Sequence, residues 1–163
     1  MTCPPLAVIF DLGGTLMDPD LEGGADAYWN RCYDRLPGTA QEGGMPAGVT
    51  REAFVGAMAA AEEDHWRRVN EDQWSGPPAG LVEDGLGRLG ISPGRGTAGA
   101  VLEACARAMD GWAVAFPDAE ATLSELQGAG YRLGLLSNMW WAAEWCQQDL
   151  RKRGLARFFD ASV

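Results

Sequence analysis

A short apolar run that stops at an aspartate and a glycine pair is the feature that most constrains the fold of this chain. Residues 6–10 read LAVIF, and apolar residues at every position are typical of a parallel strand with helices on both faces. Residues 11–15 read DLGGT, in which two glycines permit backbone angles that other residues avoid. The pattern predicts a buried strand followed by a loop at the carboxyl edge of an open α/β sheet, where ligands bind.

The sequence pattern of residues 19–116 predicts helices. Thr50 fits an N-cap, and apolar or aromatic residues then recur at helical spacing, which predicts a helix over about 50–70. The positions on its inner face are Phe54, Met58, Ala61 and His65. A second helix is predicted over about 97–113, with an inner face formed by Val101, Cys105, Met109 and Trp112. No strand pattern occurs between residues 19 and 116.

After residue 116, helices and strands alternate. Pro117 and Asp118 predict the start of a helix that ends at 128–130, and the β-compatible segment 131–136 follows. Another helix face is marked by Met139, Ala143, Cys146 and Leu150 and is closed by Gly154, after which 158–163 begins a third strand. Strands linked by helices imply right-handed crossovers in a parallel sheet, so the predicted fold class is α/β.

The charge and the cysteines narrow the classes of partner and compartment. Thirteen Lys and Arg face 23 Asp and Glu, so a net charge of −10 argues against nucleic acid or an anionic membrane as a partner. The apolar run at 6–10 is too short for a signal peptide or a membrane span, and we expect a cytoplasmic protein. The four cysteines are far apart and are interpreted as small buried hydrophobes: Cys3, Cys32, Cys105 and Cys146.

Two polar clusters at strand ends carry the candidate chemistry. Asp11 is placed to act as a nucleophile or a metal ligand because backbone N–H groups of the loop can hold an anion near it. Taken alone, an aspartate that caps a turn is the more common case. Ser137 and Asn138 end the strand predicted to lie beside the first one, so a carboxylate, a hydroxyl and an amide are expected in one crevice.

With these segments in view, the sequence resembles the haloacid dehalogenase-like hydrolase superfamily, in the branch that carries a helical cap. The matching segments are VIFDLGGTLMD at 8–18, FPDAEATLSELQGAGYRLGLLSN at 116–138 and GLARFFDASV at 154–163. The resemblance implies a Rossmann-like parallel-sheet core at 1–18 and 113–163, interrupted by an all-helical cap at 19–112. It also implies hydrolysis of a small phosphorylated substrate with Mg²⁺, a reaction that needs mainly positioning and charge neutralisation.

The resemblance further assigns a role to each candidate residue. Asp11 would attack phosphorus to form an aspartyl-phosphate, and together with the backbone carbonyl of Gly13 it would hold Mg²⁺. Ser137 would hydrogen-bond the transferring phosphoryl group. Leu12, Thr15 and Asn138 would support the loop and contact the substrate.

The sequence departs from the family pattern at two places. Position 13 is glycine where family phosphatases carry a second aspartate that acts as acid and base, and dehalogenases of the family also lack that aspartate. The third and fourth family motifs, a cation and an acidic pair, have no counterpart before Val163, so the chain is interpreted as truncated, with an incomplete Mg²⁺ site and weak or no turnover. A 2-haloacid dehalogenase and a catalytically silent binding or regulatory module remain as alternatives. We also expect the first strand to be a sheet edge and therefore prone to self-association.

Overall fold

The computed structural model describes residues 6–18, 24–37, 45–46, 48–73, 76–77, 79–92, 95–110, 113–137 and 143–162. The chain divides into two compact units. Met1–Asp20 and Gly111–Val163 form the first, which we term the sheet unit, and Leu21–Asp110 form the second, the helical unit. The elements in chain order are β1 (Ala7–Phe10), β2 (Met17–Asp18), α1 (Gly24–Tyr33), α2 (Arg51–Asp72), α3 (Gly80–Arg88), α4 (Arg95–Ala108), β3 (Val114–Ala115), α5 (Ala119–Gly128), β4 (Arg132–Leu135), α6 (Ala143–Lys152), a short 3₁₀ helix (Ala156–Phe158) and β5 (Ala161–Ser162).

The sheet unit is built on a three-stranded parallel sheet in the order β1-β4-β5. In its register Phe10 lies opposite Leu135, and Leu135 lies opposite Ser162. The α/β class and the parallel sheet are therefore confirmed. The predicted third strand is shorter than expected, since Phe158 belongs to the 3₁₀ helix and pairing begins at Ala161.

The strand order also determines which face of the sheet is covered. The chain passes from β1 to β4 and then from β4 to β5, so each connection moves one strand further in the same direction across the sheet. Because such crossovers are right-handed, α5 and α6 lie on the same face of the sheet. Leu133 and Leu135 of β4 point to that face and are buried together with Leu123 of α5.

The prediction that β1 is buried on both faces is wrong for the described structure. Ala7 is exposed and Ile9 retains 69% of its accessible surface. The physical reason is that the described helices of this unit cover only one face, and β1 pairs on one side only, with β4. The expected edge position of β1 is confirmed for the described sheet.

The sheet unit also contains a two-stranded antiparallel sheet, formed by the segments that precede and follow the helical unit in the sequence. Met17 pairs with Ala115, and Asp18 pairs with Val114. This ribbon corrects the prediction that no strand occurs between residues 19 and 116. Two residues per strand are too few to show an alternating apolar pattern, so the sequence carried no periodic signal for it.

The helical unit contains α1 to α4. The predicted helix from Thr50 is confirmed as α2, and the Thr50 side chain accepts a hydrogen bond from the Ala53 N–H at 3.2 Å. All four positions predicted for its inner face are buried. The other predicted helix, α4, ends at Ala108 rather than near 113; Val101 and Cys105 are buried, Met109 is half-buried beyond the helix, and Trp112 lies outside the described residues.

Among the described helices, none combines the length and the apolar composition that a bilayer span requires.

Candidate active site

The carboxyl ends of β1 and β4 bring two predicted site residues to the same edge of the sheet. The Leu136 N–H donates to the Phe10 carbonyl at 2.9 Å, so the pairing continues one residue beyond β4. Asp11 and Ser137 follow directly, on strands that neighbour each other at a spacing of about 4.8 Å. Asp11 is exposed and Ser137 is half-buried. The structure thus places a carboxylate and a hydroxyl at adjacent strand ends.

The loop after Asp11 is anchored by its own backbone. The Leu12 carbonyl accepts hydrogen bonds from the N–H groups of Leu16 at 2.9 Å and Met17 at 3.0 Å, and the Gly14 N–H donates to the Met17 carbonyl at 2.8 Å. The side chains of Leu12, Leu16 and Met17 are buried. Gly14 has a φ of 73°, a conformation that favours glycine. This tight turn fixes the direction in which the backbone leaves Asp11.

Gly13 lies at the exposed tip of this turn. The two bonds that join the turn to Met17 use the groups of Leu12 and Gly14, and no described backbone hydrogen bond uses the Gly13 carbonyl. A Cβ built on Gly13 would meet no atom within 4 Å. The position therefore has room for a side chain, and its carbonyl lies two residues from the Asp11 carboxylate.

Asp11 and Gly13 offer two oxygen donors close together in the sequence, a side-chain carboxylate and a backbone carbonyl. Carboxylate and carbonyl oxygens are the ligands that Mg²⁺ takes in proteins, usually one or two carboxylates completed by water and substrate phosphate. Asp11 and Gly13 supply one oxygen donor of each kind. Over the described residues, no group of three or more His, Cys, Asp or Glu side chains is arranged around a metal position.

The remaining predicted site residues are placed less favourably. Thr15 is exposed on the turn, while Leu12 is buried and its carbonyl is used within the turn, so the predicted contact of Leu12 with a substrate is not supported by its position. Asn138 lies outside the described residues.

Sequence reasoning missed Ser162, which ends β5. Ser162 lies opposite Leu135, is half-buried, and lines a cavity of about 380 Å³ beside β5. The lining residues of this cavity are Gln147, Leu150, Arg151, Ala156, Phe159, Asp160, Ala161 and Ser162. The usable signal was the same one that pointed to Ser137, namely a polar residue directly after a β-compatible segment.

Asp160 has a structural role at the opposite end of the same strand. The Leu133 N–H donates to the Asp160 carboxylate at 3.0 Å, and the Asp160 N–H donates to the Leu133 carbonyl at 2.8 Å. The Arg132 guanidinium lies 3.5 Å from the same carboxylate. These contacts tie β5 to β4 at the end remote from Asp11.

Comparison with solved structures identifies the fold. The chain is similar to the L-2-haloacid dehalogenase from Xanthobacter autotrophicus, with a TM-score of 0.50 and 23% identity, over 97% of this chain and 56% of that one. It is also similar to a HAD phosphatase from Thermococcus onnurineus, with a TM-score of 0.51 and 20% identity, over 96% of this chain and 60% of that one. No family model and no curated protein matches the chain.

These likenesses show that the chain has a haloacid dehalogenase-like fold. The chain spans less than two thirds of the length of either solved structure. One neighbour is named a dehalogenase and the other a phosphatase, so the likeness is shared between two reaction classes.

Proposed function

We propose that this chain supplies the nucleophile of a hydrolase and that its substrate is a small phosphorylated metabolite. The observation that supports the proposal is the juxtaposition of Asp11 and Ser137 at adjacent strand ends, in a fold shared with a HAD phosphatase. We further propose that the helical unit is the cap that selects the substrate.

The proposed reaction has two steps on Asp11. A carboxylate oxygen of Asp11 attacks phosphorus, the bond from phosphorus to the ester oxygen breaks, and the alkoxide leaves and takes a proton from water. Water then hydrolyses the aspartyl-phosphate, which releases inorganic phosphate and restores the carboxylate. Ser137 donates a hydrogen bond to a phosphoryl oxygen and holds the group in line.

Asp11 and the Gly13 carbonyl are the residues that would hold Mg²⁺. When bound, the ion neutralises phosphoryl charge. The anchored turn positions both donors, because the buried Leu12 lies between them.

A specific observation favours a second candidate, the hydrolysis of a 2-haloacid. Position 13 is a glycine, so no side chain there can protonate a leaving group. An alkoxide leaving group needs such a proton, and the lack of a proton donor lowers the rate of hydrolysis by roughly 10²- to 10⁴-fold. A halide leaves without a proton. In this case Asp11 attacks carbon, the carbon–halogen bond breaks, and water hydrolyses the resulting ester to a hydroxy acid.

A covalent-labelling experiment tests the nucleophile directly. The chain is incubated with Mg²⁺ and an aryl phosphate, which has a good leaving group, and in parallel with 2-chloropropionate. Intact-mass analysis and peptide mapping are expected to find one adduct on Asp11, and Asp11→Asn is expected to abolish it. Asp118→Asn, an exposed carboxylate of the same unit, is the matched control and should label like the unchanged chain. Absence of any adduct from both substrates, or labelling that survives Asp11→Asn, would contradict the proposal.

A gain-of-function variant separates the two substrate classes. Gly13→Asp introduces a carboxyl group where the structure leaves open space and a backbone conformation that side chains accept. For a phosphatase, the variant is expected to raise the rate of alkyl phosphate hydrolysis by about 10²-fold, because the leaving group then receives a proton. For a dehalogenase, halide release should not increase. Ser124→Ala, on an exposed face of α5, serves as a neutral control for handling and folding.

A further inference from the structure

The cavity between α6 and β5 is separate from the candidate active site, and its volume of about 380 Å³ is enough for a small ligand. α6 contributes Gln147, Leu150 and Arg151, which are three and four residues apart and therefore share one face of the helix. Ser162 of β5 pairs with Leu135, whose side chain points to the face of the sheet that α6 covers, so Ser162 points to that face as well. The helix and the strand thus direct side chains into a common space.

One positive charge of this cavity has no acidic partner. Arg151 is exposed in the last turn of α6 and forms no ion pair among the residues that the structure describes. The carboxylate of Asp160 also lines the cavity, but it accepts the Leu133 N–H at 3.0 Å and lies 3.5 Å from the Arg132 guanidinium. The Arg151 guanidinium is therefore available to an anionic group.

The rest of the cavity combines hydrogen-bond donors with apolar surface. Gln147 and Ser162 are half-buried, and their amide and hydroxyl groups can donate to an anion. Leu150 is buried and Phe159 is half-buried, so both offer apolar contact. Apolar walls with a few polar groups are typical of sites that bind small molecules.

We propose that this cavity binds a small organic carboxylate with an apolar body. The Arg151 guanidinium binds a planar carboxylate through two parallel hydrogen bonds, and the apolar body packs against Leu150 and Phe159. One guanidinium balances one negative charge, and the nearby Asp160 carboxylate repels a dianion, so a phosphate fits the cavity less well. The site is distinct from the one proposed at Asp11, because the residues that line it lie in α6 and in 156–162.

An NMR titration of the full chain with benzoate tests the proposal, since benzoate carries a carboxylate on an apolar ring. We expect saturable binding with a Kd of about 1 mM. The amide signals that shift should be those of α6 and 156–162. Benzamide has the same ring without the charge and should bind roughly tenfold more weakly, because hydrogen bonds to an ionised group are stronger than neutral ones. Inorganic phosphate should not displace benzoate.

Two matched pairs of variants identify the residues that bind. Arg151→Gln should weaken benzoate binding by roughly 10- to 100-fold. Lys152→Gln removes the same charge from the adjacent position, which does not line the cavity, and should leave the Kd nearly unchanged. Gln147→Glu places a carboxylate four residues before Arg151, where it pairs with the guanidinium and repels the ligand, so binding should be lost while the helix is stabilised. Gln148→Glu adds the same charge at an exposed neighbour and should retain binding.

Circular dichroism of each variant checks that a loss of binding is not a loss of folding. The Gln147→Glu variant keeps the test valid in any case, because its new ion pair supports the helix. The proposal is overturned if benzoate does not bind the unchanged chain, if benzamide binds equally well, or if phosphate displaces benzoate. It is equally overturned if both members of a pair weaken binding alike, since the attraction is then one of general charge, or if the shifted signals lie mainly outside α6 and 156–162.

Discussion

The helical unit buries its large apolar side chains more completely than the sheet unit does. In the helical unit, α1 to α4 bury their large side chains almost completely, with Trp29, Phe54 and Met58 at 0% exposure. In the sheet unit, α5 and α6 cover one face of the sheet, and Ile9 and Leu136 stay exposed on the other. The difference follows from topology, because helices can pack on each other from several sides, whereas crossovers in one direction cover only one face.

The closed core and the candidate site therefore belong to different units. The aromatic contacts of the helical unit, in which the Trp29 and Phe54 rings are 6.4 Å apart, belong to a closed core. The candidate site instead lies at the carboxyl edge of the open sheet, where Asp11 is exposed. We therefore expect core substitutions in the helical unit to lower stability and substitutions on the open face of the sheet to change mainly association.

The largest expected difference is between Phe54 and Ile9. Phe54→Ala should lower the free energy of unfolding by about 3–5 kcal/mol, since it removes a fully buried ring and leaves a cavity. Ile9→Ala should change it by less than about 0.5 kcal/mol, because the side chain is already in water. Urea unfolding followed by circular dichroism measures both values. Equal losses for the two variants would mean that the open face is covered in solution.

Self-association through β1 stays a prediction, and Ile9 also tests it. Ile9→Lys places a charge on the exposed apolar face of an edge strand, which should reduce pairing with a second copy. Sedimentation velocity at increasing concentration should show less association for the variant than for the unchanged chain. Asn70→Lys, exposed on α2, makes the same charge change in the helical unit and should have no such effect.

Glycines give the next comparison. A Cβ on Gly85 of α3 would overlap the sulfur of Met58, which is fully buried, so Gly85→Ala should lower the free energy of unfolding by about 1–3 kcal/mol. A Cβ on Gly134 of β4 would meet Ile9 at 3.6 Å, an ordinary contact. Gly134→Ala should therefore be neutral or slightly stabilising. A loss above about 1 kcal/mol at Gly134, again by urea unfolding, would contradict the open-face description.

The sequence predicted local elements well because their signals are local. The Thr50 cap and the helical spacing from Phe54 to His65 lie within one element, and α2 has both. The apolar run at 6–10 predicted a strand correctly but its burial wrongly, since burial depends on which helices return to which face. The β2–β3 ribbon escaped notice because its two strands are far apart in the chain and only two residues long.

The candidate site shows the same division. The predicted proximity of Asp11 and Ser137 needed only the order of strands and their parallel direction, and the register agrees with it. The burial of Leu12 and the hydrogen bonds that anchor its carbonyl depend on the turn conformation, which the glycine pair permits but does not determine. The assignment of chemical roles to these residues stays a prediction.

Helix caps test the comparison at a smaller scale. Thr50→Ala should destabilise the helical unit by about 1 kcal/mol, because the Ala53 N–H loses its side-chain acceptor. Asp118 occupies the N-cap position of α5 in the sheet unit but makes no side-chain cap bond there. Asp118→Ala should therefore lose only the attraction of its charge for the helix N-terminus, about 0.3 kcal/mol. Thr50→Ser should retain most of the stability, because serine can also accept the bond from the Ala53 N–H. A larger loss of unfolding free energy for Asp118→Ala than for Thr50→Ala would contradict this prediction.

The smallest expected effect is a pH dependence confined to the helical unit. Burial lowers the pKa of His65, the single histidine of the chain, and the charge of Arg68 lowers it further. The unfolded chain therefore binds this proton more readily than the folded one, so the histidine contributes stability above about pH 6.5 that is lost as the pH falls below it. Hydrogen exchange at pH 7 and pH 5.5, corrected for the intrinsic rates, should show reduced protection around α2 and little change in β4. His65→Gln should remove the difference, and an equal loss of protection in the sheet unit would assign the pH dependence to other groups.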